Sequence, residues 1–217
     1  MKISARVILG VAALCLAACT GSLFQSKAAP PTIYMLSART GSADPGAAAG
    51  TPAAEIPVDL AVLKPRVRTG LETDRIAVLY PDRRLDYFAD ARWSGTLGEV
   101  VQDLAVQEFH SHAQLRTVSG DASVFASAYW LEIEVTDFQA EYGPGATAPT
   151  VRVRFLARLG GSADRRILGQ FAAGAQQAAA ENRLTAIVDA YARAADAAMT
   201  DIVAQAAPVL AESSKAR

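Results

Sequence analysis

Cysteine and histidine are nearly absent from this chain, at two each among 217 residues, and neither sign of charge dominates, with 21 basic and 22 acidic side chains. So few thiol and imidazole groups leave no disulfide framework and no advertised zinc site. Near-neutrality removes the basic field that nucleic-acid binding requires. Long apolar runs are missing too: the run near the N-terminus, Val7 to Ala18, falls short of the ~20 residues that cross a bilayer as a helix. Catalytic signatures are equally scarce. There is no Gly-x-Ser-x-Gly elbow, no P-loop and no Gly-x-Gly-x-x-Gly, so nucleophile-elbow and phosphate-cradling chemistry have no support in the sequence.

The near-misses have simpler readings. His110 and His112 stand two apart near the end of a helical stretch, a spacing that keeps their rings off one face. Histidines at a helix C-terminus complement its dipole. Gly143-Pro144-Gly145 is turn chemistry. Asp82 and Asp86 flank short strands in an Arg-rich neighbourhood and read as solvated carboxylates. No catalytic residue, metal site or cofactor is expected, and the chain reads as a non-enzyme; only a site assembled from residues distant in sequence would leave no such signature.

What is present begins at the N-terminus. Lys2 and Arg6 precede the uncharged run Val7 to Ala18, the charged and apolar regions of an export signal. The run closes on Leu16-Ala17-Ala18-Cys19, which resembles the bacterial lipobox: small residues open the bond before Cys19 to a signal peptidase, and the thiol takes a diacylglyceryl group. An ordinary secretory signal would not need position, flanking charge and small residues to converge on one cysteine. Residues 1–18 are therefore the expected signal peptide, Cys15 leaves with it, and Cys19 is the expected lipid attachment site. Losing Lys2 and Arg6 leaves 19 basic against 22 acidic side chains. With Cys19 the sole mature cysteine, no intrachain disulfide can form and the fold must rest on its core. Two or three acyl chains, palmitate among them, bury enough methylenes at ~0.8 kcal/mol each to hold a protein on a leaflet.

Residues 19–31 form a polar tether ending at Pro30-Pro31, and Thr32 to Leu36 reads as a short strand. Residues 37–55 are rich in Gly, Ala, Ser, Thr and Pro and carry too few large apolar side chains to offset the entropy of ordering. The folded domain is expected over 32–207, with this flexible loop inside it and 208–217 as a tail. Val58, Leu60 and Val62 alternate as a strand face; Arg75 to Tyr80 reads as a buried strand stopped by Pro81, and Leu85 to Phe88 as a further short one. From Trp93 the apolar period becomes helical, through Leu97, Val100, Val101, Leu104 and Ala105, and Thr96 with Glu99 offers a capping box. That spacing predicts a helix over about 94–110.

Leu115 to Val118, Tyr129 to Tyr142, Thr150 to Leu159 and Ile167 to Ala175 read as strands, the last three joined by Gly-rich turns into an antiparallel meander. Within it Leu131, Ile133, Val135, Val151, Val153 and Phe155 point to a core, while Glu132, Glu134, Arg152 and Arg154 point to water. The balance of acids and bases favours a cross-strand ladder over an anion-binding stripe. Leu184, Ile187, Val188, Tyr191, Ala195, Ala198, Met199, Ile202 and Val203 mark a long amphipathic helix from about Glu181 to Ala206, ended by Pro208. Its polar face is poor in Lys and Arg, so it reads as packing on the core and not on a membrane surface. The expected fold class is α+β: an antiparallel sheet with two main amphipathic helices packed on one face.

The order of these features resembles the ABC-type transport auxiliary lipoproteins of the PqiC type, which accompany MCE-domain lipid transporters in bacterial envelopes. The resemblance rests on Cys19, Tyr34-Met35-Leu36, Asp74-Arg75-Ile76-Ala77-Val78, Leu85-Asp86-Tyr87-Phe88 and Arg92-Trp93 before an amphipathic helix. Thr136-Asp137-Phe138, Val151-Arg152-Val153 and the alanine-rich C-terminal helix continue it. The Ala/Gly/Pro-rich insertion at about 40–54 departs from that pattern. The resemblance implies a periplasm-facing, lipid-anchored, non-catalytic adapter. It would work with an MCE-domain protein and an ABC permease and ATPase in moving phospholipids or other apolar molecules between inner and outer membranes. It further implies copies assembled as a homo-oligomeric ring. Thr20 stands where an aspartate favours inner-membrane retention in enteric bacteria, which points to the outer membrane.

Two other readings stand beside this one: an outer-membrane assembly or secretion lipoprotein of similar shape, and a periplasmic lipid carrier with its own cavity. A carrier would leave ~300 Å³ or more unfilled between sheet and helices, whereas an adapter packs that space with side chains. Without a catalytic constellation, activity is expected to reside in a protein–protein surface. Tyr34, Tyr87 and Trp93 are the candidate partner-binding residues or their support, since aromatics dominate interface hot spots. Trp93 opens a core-facing stripe, and burial is its simpler role.

Overall fold

The computed structural model describes residues 30–38, 56–120 and 126–215; the expected signal segment, Cys19 and residues 39–55 lie outside them. Alternating burial organises the sheet. In β7 (Tyr129–Glu141) every second side chain from Tyr129 to Val135 is buried, and the same period runs from Val151 to Leu159 in β8 (Thr150–Gly161). β9 (Ile167–Ala178) completes an antiparallel meander in which Val135 faces Phe155 and Phe155 faces Ala173. A register shift between Val135 and Asp137 moves the inward set from odd to even positions, so that Phe138 and Ala140 continue the buried face.

Along its other edge β7 receives three parallel strands end to end. β2 (Ile56–Val62) lies beside Tyr129 to Leu131, β3 (Arg66–Val67) beside Glu134 and Val135, and β4 (Arg75–Leu79) beside Ala140 and Glu141. β6 (Leu115–Ser119) adds in parallel to β2; β5 (Leu85–Trp93) pairs antiparallel with β4 and carries β1 (Thr32–Tyr34) in parallel on its far side. The nine strands form a sheet whose longest ladders are antiparallel, as expected. Five of the eight pairings are nevertheless parallel. A period of two is common to both arrangements, so alternation carries no sign of direction.

α1 (Leu97–His112) starts where the capping box predicts, with Glu99 Oε2 accepting the Thr96 backbone N–H at 2.9 Å. Trp93 is not part of it. That residue closes β5, which extends well past Phe88, and its 3% exposure comes from the sheet side of the core. α2 (Leu184–Lys215) has 32 residues and runs through Pro208, contrary to the expected stop there. Pro208 and Ala204, the residue whose carbonyl loses its N–H partner, are both exposed, so the freed oxygen is open to solvent. Leu210, two residues later, is fully buried and holds the continuing helix to the core.

α2 lies against β8, β9 and β2, while α1 meets α2, β6 and β2. Between helix and sheet the rings interlock: Trp93 stands edge-on to Phe138 at 6.0 Å and to Tyr191 at 5.2 Å, and Phe138 stacks on Tyr191 at 5.3 Å. The Tyr191 hydroxyl donates to the Ala77 carbonyl at 2.6 Å, which satisfies the one polar atom of a completely buried ring, and burial raises its pKa. Phe155, also fully buried, extends this cluster beside Phe138 at 6.4 Å. Phe155→Ala is expected to cost about 3–5 kcal/mol of unfolding free energy in chemical denaturation, because the surrounding rings cannot collapse into the gap. An unchanged denaturation midpoint would place the core elsewhere.

Candidate functional site

The aromatic residues singled out from the sequence lie on β1 and β5, the two outermost strands at one rim of the sheet. In the parallel β1–β5 pair Tyr34 is the register partner of Trp93 and Ile33 that of Arg92. Trp93 turns inward to the ring cluster, and Tyr34 packs half-buried against the core. Tyr87, further back on β5, is half-buried; its hydroxyl donates to the Gly70 carbonyl at 2.7 Å, and the Arg75 guanidinium lies 4.2 Å from its ring centroid. Arg92 donates to both oxygens of Asp74 at 2.8 and 2.7 Å, and this pair holds the Asp74 carboxyl below the usual carboxylate range. The Asp74 carbonyl in turn accepts the Trp93 backbone N–H at 2.7 Å.

Ile33 and Met35 complete this rim, at 65% and 74% exposure, and neither stands out in the sequence as an aromatic does. Their signal lies in the alternation of Thr32 to Leu36: a strand that buries Leu36 and tucks in Tyr34 must present Ile33 and Met35 on its other side. The rim thus offers apolar side chains framed by Arg75, Arg92 and a half-buried tyrosine. That composition suits protein recognition.

The outward charges of the meander are matched among themselves. Glu132 meets Arg158 at 3.1 Å and Arg66 at 3.2 Å, Arg66 also reaches Glu134 at 3.6 Å, Arg152 meets Glu141 at 3.0 Å, and Arg154 lies 3.8 Å from Asp137. Asp82 and Asp86 both face Arg84, at 3.7 and 3.6 Å. No group of three His, Cys, Asp or Glu side chains among the described residues could hold a metal ion, and no helix among them is long and apolar enough to cross a membrane.

One titratable group escaped the sequence reading. Glu108 is completely buried where α1 meets α2, accepts from the Thr200 hydroxyl at 3.2 Å, and lies 3.1 Å from His112 Nδ1. Burial first, and then a hydrogen bond with Asp196 and its negative charge, raise the Glu108 carboxyl to about 7. Extending the apolar stripe of Leu97, Val101 and Leu104 by one turn lands on Glu108, which is the signal that would have found it. A carboxyl closed off from solvent has no path to a substrate, so its work is to join the helices.

The folded state keeps the Glu108 proton up to about 7, whereas the unfolded chain releases it around 4.5. The unfolded state binds fewer protons across that window, so this contribution is complete below it and falls as pH rises through it. The stability of the wild-type chain is therefore expected to drop by on the order of 1–3 kcal/mol between the two values. Glu108→Gln keeps a neutral donor in place and should flatten that profile in thermal melts. An unaltered slope in the variant would assign the pH dependence to other groups.

Comparison with known proteins follows the architecture closely. The profile of the ABC-type transport auxiliary lipoprotein component family matches residues 36–203. The crystal structure of protein XCC0632 from Xanthomonas campestris superposes with a TM-score of 0.68 at 22% identity, covering 85% of this chain and 99% of that one. The hypothetical protein CT253 from Chlamydia trachomatis gives a TM-score of 0.51 at 11% identity, covering 72% and 99%. At such identities the two structures establish a shared fold. No curated protein matches the sequence. The family match runs from Leu36, just past β1, into the second half of α2, and so takes in β2 to β9, α1, most of α2 and the ring cluster; this chain belongs to the ABC-type transport auxiliary lipoprotein component family.

Proposed function

We propose that this chain is a lipid-anchored, periplasm-facing subunit of an MCE-type ABC transport system, acting as a non-catalytic adapter in the trafficking of phospholipids or other apolar molecules between the two membranes. Its family membership supplies the class, a transport auxiliary component. The observation that carries the adapter reading over the carrier is the filled core. Trp93, Phe138, Phe155 and Tyr191 occupy the space between sheet and α2, where a carrier would need room for acyl chains.

Lipidation at Cys19 holds the domain on a leaflet, the outer membrane being favoured by Thr20. The dozen residues between Cys19 and Thr32 span at most roughly 40 Å when extended, so β1 begins within reach of the membrane. Among the described residues the β1–β5 rim presents Ile33 and Met35 to solvent, and it is the surface that would meet the MCE-domain protein or the permease. Tyr34 and Tyr87 are its aromatic contacts, Ile33 and Met35 its apolar ones, and Trp93 supports it from beneath.

Cys19→Ser should abolish incorporation of a fatty-acid analogue in metabolic labelling, because a hydroxyl is a far weaker nucleophile than a thiol; continued labelling would end the lipobox reading. Capture of the full-length chain from detergent-solubilised envelopes should recover the MCE-domain protein, with Tyr87→Ala lowering recovery about tenfold, the effect of ~1.4 kcal/mol at a hot spot. Capture without any transport-system subunit, together with stoichiometric phospholipid on the purified protein, would replace the adapter by the carrier.

A further inference from the structure

Sulfur is scarce in this chain, and the two sulfur atoms of its folded domain sit in opposite surroundings. Three methionines and two cysteines make up the whole supply. Met1 and Cys15 belong to the expected signal peptide and Cys19 to the expected lipid attachment, which leaves Met35 and Met199. Met199 is fully buried on α2, whereas Met35, directly after β1, is the most exposed large apolar side chain among the described residues. Its neighbours fix that exposure. Tyr34 packs half-buried against the core and Leu36 is buried, so the alternation that turns both inward leaves Met35 facing water on the side of Ile33.

A thioether is polarizable and open to a reversible oxidation that turns a flexible apolar side chain into a polar one. We propose that Met35 is such an oxidation site: a hydroperoxide converts its thioether to the sulfoxide, and the oxidised rim no longer takes its partner. With hydrogen peroxide, a lone pair on Sδ attacks one oxygen, and the O–O bond breaks as the S–O bond forms. The proton left on the new sulfoxide oxygen joins the departing hydroxide as water. Sulfur gives up an electron pair and the peroxide takes it. A methionine sulfoxide reductase reverses the change, drawing an electron pair from a dithiol and releasing the oxygen as water. Exposure selects the sulfur that reacts. Met199 lies in a filled core that admits no oxidant, while Met35 stands in the solvent.

The consequence for docking rests on the proposed role of the β1–β5 rim. Oxidation replaces an apolar contact with a strong hydrogen-bond acceptor, and burying that oxygen against an apolar partner without a donor is unfavourable. The cations of the rim are already engaged: Arg92 is held by Asp74, and Arg75 lies over the Tyr87 ring. Satisfying the sulfoxide would mean taking one of them from its present contact. Docking and oxidation therefore oppose each other. A partner seated on Met35 shields its sulfur from peroxide, and a sulfoxide keeps the partner away.

The test uses the full-length chain in detergent, hydrogen peroxide as the probe and peptide mass spectrometry as the readout. Met35 should gain oxygen about tenfold faster than Met199 in the folded chain, and the two rates should converge in denaturant. The oxidised chain should keep its melting temperature, and a methionine sulfoxide reductase with dithiothreitol should restore the thioether. In capture from detergent-solubilised envelopes, oxidising the bait should lower recovery of the MCE-domain protein about tenfold. Met35→Gln should lower it as far without oxidant, whereas Met35→Leu should recover it fully with or without peroxide. Equal rates at Met35 and Met199 in the folded chain would overturn the site. Recovery that falls as far in Met35→Leu as in the unaltered chain would overturn its link to docking. A bait that recovers no transport-system subunit even before oxidation would overturn the adapter reading and that link together, while the peroxide rates, read without any partner, still decide the site.

Discussion

The continuous pairing of β7 on both sides is the constraint from which the rest of the molecule follows. On one side its thirteen residues match β8 almost end to end. On the other they give successive short stretches to β2, β3 and β4. None of these three could persist alone: β3 has two residues, and β4 contributes two register pairs to β7. A two-strand contact of that length is not stable in water. The register shift after Val135 decides where the core goes next. Moving the inward set from odd to even positions brings Phe138 under the sheet at the end where β4 and β5 deliver Ala77 and Trp93, and Tyr191 of α2 is drawn into the same cluster.

α2 meets this cluster with alanine wherever the backbone must come close. Ala190, Ala194, Ala195, Ala198 and Ala206 are all buried, and β9 answers with Ala173. Small residues on both sides bring helix and strand together, and the large rings fill the space at one end only. Two buried polar side chains join elements distant in sequence. Tyr191 ties α2 to β4, and Glu108 ties α1 to α2. A carboxyl kept neutral by burial makes a tie without the cost of an unpaired buried charge.

Local periodicity revealed what depends on one segment at a time. Alternation located the meander and its core, the Thr96 and Glu99 pair located the start of α1, and the apolar stripe located α2. Features that depend on two distant segments did not show. Parallel and antiparallel strands share a period of two, so the partners of β2 and β4 were unreadable, and β3 is too short to have a period at all. Trp93 falls in helical phase with Leu97 by coincidence of spacing, which drew the helix about three residues too far back. Pro208 was read as a stop because the burial of Leu210 beyond it is a property of packing. The candidate rim was legible in its parts and not as a whole. Tyr34, Tyr87 and Trp93 were visible as aromatics, but a parallel β1–β5 pair is what makes Tyr34 and Trp93 neighbours.

Charge distribution then separates the surfaces by what each can recognise. The outer face of the meander holds acids on β7 and arginines on β8 in mutual contact, so it projects little net field despite its density of charge. Each such exposed pair contributes only about 0–1 kcal/mol to stability, yet a ligand of either sign landing there must displace an existing partner. Discrimination is left to the rims, and the two differ in kind. The β1–β5 rim mixes exposed Ile33 and Met35 with Arg75 over Tyr87 and with Arg92 held by Asp74, which suits a folded partner presenting apolar side chains. The β9 rim offers neutral side chains, with Gln205 of α2 reaching the Ala172 carbonyl. Five inter-strand spacings separate β1 from β9 along the path through β5, β4, β7 and β8, about 24 Å. At that distance a contact at one rim leaves the other unobstructed.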